Sequence, residues 1–221
     1  MPGKRRVPNH GPKGTKPVTT RNFLRIAASC SIAVGLLARL LFFPDWAFAL
    51  SGPEKASLEN LGFILFDDQE RAPDLNGPEL SGNSLSLSSY RGKWVLLNFW
   101  ATWCVPCRTE IPTLNRLGDQ MKKEPFLLIS VAMDYNVDKV RGFVQKIPVG
   151  YPVVLGRKGK IDDRYFGMGL PQTYLIDPRG MLVGKVTGSR DWDTPGAQAL
   201  FRELMASPMP PSLPHHHKES S

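Results

Sequence analysis

The sequence predicts an α/β domain with a central mixed β-sheet flanked by helices. Three observations carry this. Two continuous apolar runs of strand length, "WVLLNFW" (94–100) and "FLLISVAM" (126–133), have the composition of parallel strands covered on both faces. Between them, Ile111, Leu114, Leu117 and Met121 recur every three or four positions, which predicts an amphipathic helix over 106–123. Further on, "QTYLID" (172–177) and "MLVGKVTG" (181–188) are joined by Pro178-Arg179-Gly180, a turn sequence, and read as an antiparallel hairpin. The order βαβαβ followed by ββα needs a sheet with both parallel and antiparallel neighbours.

The remaining elements follow in order. Residues 50–80 are rich in Gly, Pro and Asn around one apolar patch, "LGFILF" (61–66), and read as a linker and domain edge. The domain proper is expected over 81–207. "NSLSLSSYRGK" (83–93) alternates polar and apolar residues and turns at Arg91-Gly92, which suggests an edge strand. "VDKVRGFVQKI" (137–147) reads as a helix and "YPVVL" (151–155) as a short strand. The last helix, in "TPGAQALFRELMA" (194–206), has Thr194 as its N-cap and Pro195 at its first position. The Pro-rich tail, 208–221, is expected to be disordered.

Of the 221 residues, the first 49 hold eight basic side chains against Asp45 alone, while the other 172 carry 20 basic and 19 acidic groups. The formal net charge of +8 therefore belongs to the N-terminal segment. Nucleic acid is not an expected partner, because phosphate binding needs a clustered basic face on the folded part. A basic region (1–25), an apolar stretch (26–43), Pro44 and "AFA" at 47–49 make an export signal, with cleavage expected after Ala49. Retention of 26–43 as a membrane anchor is the alternative; Arg39 within it is costly at the bilayer centre. "TTRNFLR" (19–25) approaches a twin-arginine signal, but Thr20 stands where the first arginine belongs. Cys30 comes too early in the apolar stretch to accept a lipid.

Beyond that segment Cys104 and Cys107 are the only cysteines. They lie at the end of a buried strand and the start of a helix. Free N–H groups and a partial positive charge at a helix N-terminus stabilise a thiolate. Cys104, at the outer end, is the natural attacking nucleophile; Cys107, one turn in, is the natural resolving thiol. So small a ring staples little chain, which argues against a purely structural bond. A zinc site needs four ligands. The only histidines beyond residue 49 are His215, His216 and His217 in the tail, so no metal and no other cofactor is expected.

Two stretches resemble a known family. "NFWATWCVPCRTEIP" (98–112) and "FGMGLPQTYLIDPRG" (166–180) are similar to the TlpA/ResA group of thioredoxin-like proteins, which includes the CcmG-type cytochrome c maturation reductases. The resemblance covers about residues 65–207 and implies a thioredoxin fold, with the region 137–155 as the TlpA-type αβ insertion. It implies that Pro171 is cis, preceded by Leu170, and faces the redox-active disulfide Cys104–Cys107. It implies that Trp103 is exposed and shields the sulfurs, and that Glu110 handles protons or recognises partners. A first-turn glutamate favoured by the helix dipole is the alternative for Glu110. Pro106 starts the helix and, with Val105, tunes the redox potential. Asn98 stands where plain thioredoxins have a buried aspartate, and Gln172 where the CcmG branch has glutamate.

The resemblance implies an exported protein-disulfide reductase on the periplasmic or extracytoplasmic face of the cytoplasmic membrane. Its substrates would be protein disulfides, plausibly those of apocytochrome c. A transmembrane thiol donor of the CcdA/DsbD kind would recharge it, since an oxidising compartment supplies no reductant. Two alternatives use the same cysteines: a disulfide oxidase or isomerase, and a chaperone that holds a metal or client through its thiols.

Overall fold

Helix α1 (Gly52–Asn60) stands where a linker was expected. The computed structural model describes residues 50–67, 70–165, 167 and 169–206; the stretch expected to be an export signal or anchor, and the tail expected to be disordered, lie outside them. Ser51 and Glu54 form a capping box: Ser51 Oγ accepts from the Glu54 amide at 3.3 Å, and Glu54 Oε2 accepts from the Ser51 amide at 2.7 Å. Periodicity could not announce this helix, because only Glu54 and Leu58 on it are buried. Leu58 is fully buried among Leu200, Phe201 and Leu204 of the last helix, and Phe63 follows it into the same core. Residues 50–66 thus belong to the domain.

Strand β1 (Ile64–Leu65) comes next. Then come β2 (Leu75–Pro78), β3 (Ser84–Ser86), a 3-10 turn over Leu87–Tyr90 and β4 (Trp94–Trp100). The edge strand expected over 83–93 is thus three residues long, and the turn after it buries Leu87. Helix α2 (Val105–Gln120) leads to β5 (Phe126–Ala132), and α3 (Val137–Lys146) to β6 (Val153–Leu155) and β7 (Lys160–Ile161). The hairpin of β8 (Gln172–Ile176) and β9 (Leu182–Thr187) precedes α4 (Pro195–Ala206). At the hairpin turn Gly180 has φ of 82°, a conformation that favours glycine, and the Arg91 guanidinium packs over it where a Cβ would stand.

The main sheet has the order β1-β9-β8-β4-β5-β6, and a smaller one the order β3-β2-β7. β4 pairs in parallel with β5 and β5 with β6; β4–β8, β8–β9 and β1–β9 are antiparallel. This is the mixed sheet the element order implies. Every side chain of β4 is buried, which is why its sequence is an unbroken apolar run. Alternation sends Trp94 and Leu96 into the core with α1, α2 and α4. Val95, Leu97 and Phe99 enter the opposite core with Val140 of α3 and the small sheet.

Leu58→Ala is expected to cost about 2–5 kcal/mol of stability, measured by urea denaturation. A loss below about 0.5 kcal/mol, the level of surface substitutions, would return the segment to the status of a linker.

Candidate active site

Strand β4 ends at Trp100, and four residues later the chain reaches Cys104, the N-cap of α2. The connecting loop is clamped. Asp134, just beyond β5, accepts the Thr102 hydroxyl at 2.6 Å and the Thr102 amide at 2.9 Å. Cys104 is bonded to Cys107, with their Cα atoms 5.3 Å apart. The Cys107 amide points at Cys104 Sγ, 3.3 Å away, so this sulfur occupies the position in which an N-cap side chain receives a helix N–H. Cys104 is 5 % exposed and Cys107 is fully buried. Trp103 and Val105 stand exposed on either side of Cys104. Chemically this is a disulfide with one sulfur near the surface, where helix N–H groups favour the anion that develops when the bond opens.

The Leu170–Pro171 peptide bond is cis, and Pro171 is buried. Leu170 and Trp103 line the same groove of about 610 Å³, together with Tyr135, Arg157, Tyr165 and Gln172. The Arg157 guanidinium lies 4.5 Å above the Tyr135 ring. Gln172 donates to the Tyr174 hydroxyl at 2.8 Å. Among the described residues no three His, Cys, Asp or Glu side chains come together as a metal site.

Glu110 lies one turn after Cys107, on the same face of α2, and is 2 % exposed. Asn98 Nδ2, from the middle of β4, donates to its Oε1 at 2.9 Å and to Thr173 Oγ1 of β8 at 3.0 Å. The Arg190 amide and the Trp192 indole N–H donate to Oε2 at 3.3 and 3.2 Å. Burial pushes the Glu110 carboxyl above the usual carboxylate range, and the donors from Asn98, Trp192 and Arg190 pull it part of the way back. Burial first, and then the nearby Glu110, pushes the Tyr151 phenol up. The Asn98 carbonyl oxygen is buried and has no partner among the described residues.

Cys104, Cys107, Trp103, Pro106, Leu170, Pro171 and Glu110 are therefore all placed, and Glu110 is a buried, triply bonded carboxylate rather than an exposed first-turn charge. Sequence reasoning missed Trp192, Arg190, Thr173 and Asp134. Asn98 was the one visible signal, a polar residue inside an apolar strand. Trp192, 82 residues beyond Glu110, carries no local mark of its partner.

A cysteine pair where a parallel strand meets a helix, in a mixed sheet with a cis-proline before the hairpin, defines a thioredoxin-fold thiol–disulfide oxidoreductase. The chain belongs to the AhpC/TSA family, which matches residues 69–185. It is 32 % identical over 155 residues to the thiol-disulfide oxidoreductase ResA of Bacillus cereus, covering 69 % of this chain and 90 % of that protein. ResA of Bacillus anthracis is 35 % identical over 159 residues, with the same shares. Among solved structures, a candidate DsbE thiol:disulfide interchange protein from Chlorobium tepidum has a TM-score of 0.57 at 28 % identity, covering 63 % of this chain and 99 % of that one. The thioredoxin domain of a Bacteroides vulgatus thiol-disulfide oxidoreductase has a TM-score of 0.53 at 25 % identity, with the same shares.

A carboxyl whose pKa is raised on folding contributes stability that is fully present below its unfolded pKa and is lost as pH rises through the folded one. Glu110→Gln is therefore expected to raise the melting temperature at pH 7 relative to the unsubstituted protein, and to bring no gain at pH 4. Calorimetry at the two pH values checks this. An equal effect at both would mean that ionisation of Glu110 costs the fold nothing.

Proposed function

We propose that the protein is an exported reductant of disulfides in extracytoplasmic partner proteins, plausibly the haem-attachment cysteines of apocytochrome c. The observation that carries the reading is the pairing of two unequal sulfurs with a buried carboxylate one turn behind them. The Cys104 thiolate attacks a partner disulfide; one sulfur–sulfur bond forms as the partner's bond breaks, and the partner's leaving thiolate takes a proton. Cys107 then loses its proton to Glu110 and attacks Cys104 Sγ, releasing the partner as a dithiol. Two electrons have passed to the partner, and Cys104–Cys107 is left oxidised. Pro171 and Leu170 flank the sulfurs and offer backbone to the bound chain, Trp103 covers them, and Pro106 helps set the potential.

Regeneration needs a dithiol, supplied by a transmembrane donor of the CcdA/DsbD kind. The signal over 1–49, cleaved or kept as an anchor through 26–43, would deliver the domain to the periplasmic or extracytoplasmic face. Among the described residues no helix is long and apolar enough to cross a membrane. The ResA and DsbE names of the relatives support the exchange chemistry.

Two experiments test this. The equilibrium reduction potential, titrated against dithiothreitol or glutathione, is expected near or below about −270 mV; a value near about −120 mV would make the protein an oxidant. Cys107→Ser is expected to accumulate mixed disulfides through Cys104, whereas Cys104→Ser accumulates none. Equal trapping by both variants would remove the assignment of attacking and resolving sulfurs.

A further inference from the structure

We infer that Trp192 is a positioning residue for the proton transfer: its indole N–H, beside the Arg190 amide, holds Glu110 in the ionised, acceptor-only state that the resolving thiol requires. The inference rests on the reading of Glu110 as the acceptor of the Cys107 proton, and adds to it the part of the chain that sets when that acceptor is available.

The geometry supports it from several sides. Every hydrogen bond that Glu110 makes through its carboxylate is one it accepts: Asn98 from β4 on Oε1, Arg190 and Trp192 from the loop before α4 on Oε2. The Asn98 carboxamide is turned so that its Nδ2 serves Glu110 and Thr173, at the expense of a carbonyl oxygen buried without a partner. Three N–H donors facing one carboxylate favour the charged form, and the two on Oε2, the Arg190 amide and the Trp192 indole, can only donate, so a protonated Oε2 would turn its O–H toward groups with no acceptor. The charged and titratable groups that act on Glu110 besides these donors are the Arg190 guanidinium and the Tyr151 phenol, and Cys107 lies one turn before it on the same helix. That guanidinium is tied to the Leu61 carbonyl at 3.2 Å and the Ser189 carbonyl at 2.9 Å.

Trp192 is also built to keep its direction. It is fully buried, its ring meets Phe63 edge-on at 6.1 Å, and its amide donates to Thr113 Oγ1 at 3.2 Å on the same helix as Glu110. A buried indole N–H needs an acceptor, and Glu110 is the one in reach.

The test uses 5,5′-dithiobis(2-nitrobenzoate) with the reduced protein in stopped flow. The first release of thionitrobenzoate reports attack by Cys104, and the second reports resolution by Cys107. The second phase is expected to accelerate with pH through the Glu110 titration, and Glu110→Gln is expected to remove that dependence. Trp192→Phe keeps the ring and deletes the donor. It is expected to move the midpoint up by about one pH unit, about tenfold slower resolution on the acid side. Thr113→Val frees the Trp192 amide without touching the core ring, and also removes the hydroxyl's bond to the Glu110 backbone carbonyl at 2.8 Å; it should shift the midpoint the same way by less and serves if the Phe variant does not fold. The Glu110→Gln/Trp192→Phe double variant should match Glu110→Gln alone.

An unmoved midpoint in Trp192→Phe, with the dependence abolished in Glu110→Gln, would overturn the role of Trp192 and leave that of Glu110 standing. A dependence that survives Glu110→Gln would remove the acceptor reading and this inference with it.

Discussion

The structure depends on strand β4, which is hydrogen-bonded on both sides and covered on both faces. Its partners are parallel β5 and antiparallel β8, and none of its seven side chains reaches solvent. A strand so enclosed has one orientation, because a one-residue slip would exchange its two faces. That constraint carries Cys104 to the mouth of the site. It also turns Asn98 toward α2, opposite Thr173, where its amide meets both the threonine hydroxyl and the carboxylate of Glu110. One polar residue in an apolar strand thus ties the sheet to the helix that bears the disulfide.

The two sulfurs are made unequal by where the helix starts. Cys104, as N-cap, receives the Cys107 amide at the edge of the protein, while Cys107 is sealed below it. A group that must lose a proton in so closed a place needs an internal acceptor, and a carboxylate is tolerated there only if hydrogen bonds offset its lost hydration. Glu110 has three of them, from two separate parts of the chain. The exposed side is built differently: Trp103, Leu170 and Tyr135 frame a groove in which apolar surface and the Arg157–Tyr135 pair face solvent together. In the function proposed, the inner half of the site governs protons and the outer half offers a surface for a partner.

The segment around helix α1 takes part in the inner half. Helix α1 fixes Leu58 against α4, Phe63 packs on Trp192, and the Leu61 carbonyl receives Arg190. The loop that donates to Glu110 is therefore braced by residues more than a hundred positions earlier, which gives a physical reason for the domain to begin before the sheet does.

Much of this was legible in the amino-acid sequence. The apolar runs of β4 and β5, the periodic face of α2 and the Pro-Arg-Gly turn specify a mixed sheet through local patterning, and the spacing of Cys104 and Cys107 at a strand–helix junction specifies a redox pair. Helix α1 escaped notice because a capping box and one buried leucine leave no periodic signal. The partnership of Glu110 with Trp192 and Arg190, and of Asn98 with Thr173, was decided by tertiary structure alone. A hydrogen bond between residues some 80 positions apart depends on where packing brings their side chains, and nothing in either local sequence encodes that distance. The sequence by itself determined the fold class and the two sulfurs; only the folded chain decided what surrounds the carboxylate beneath them, because burial and direction are properties of the assembled core.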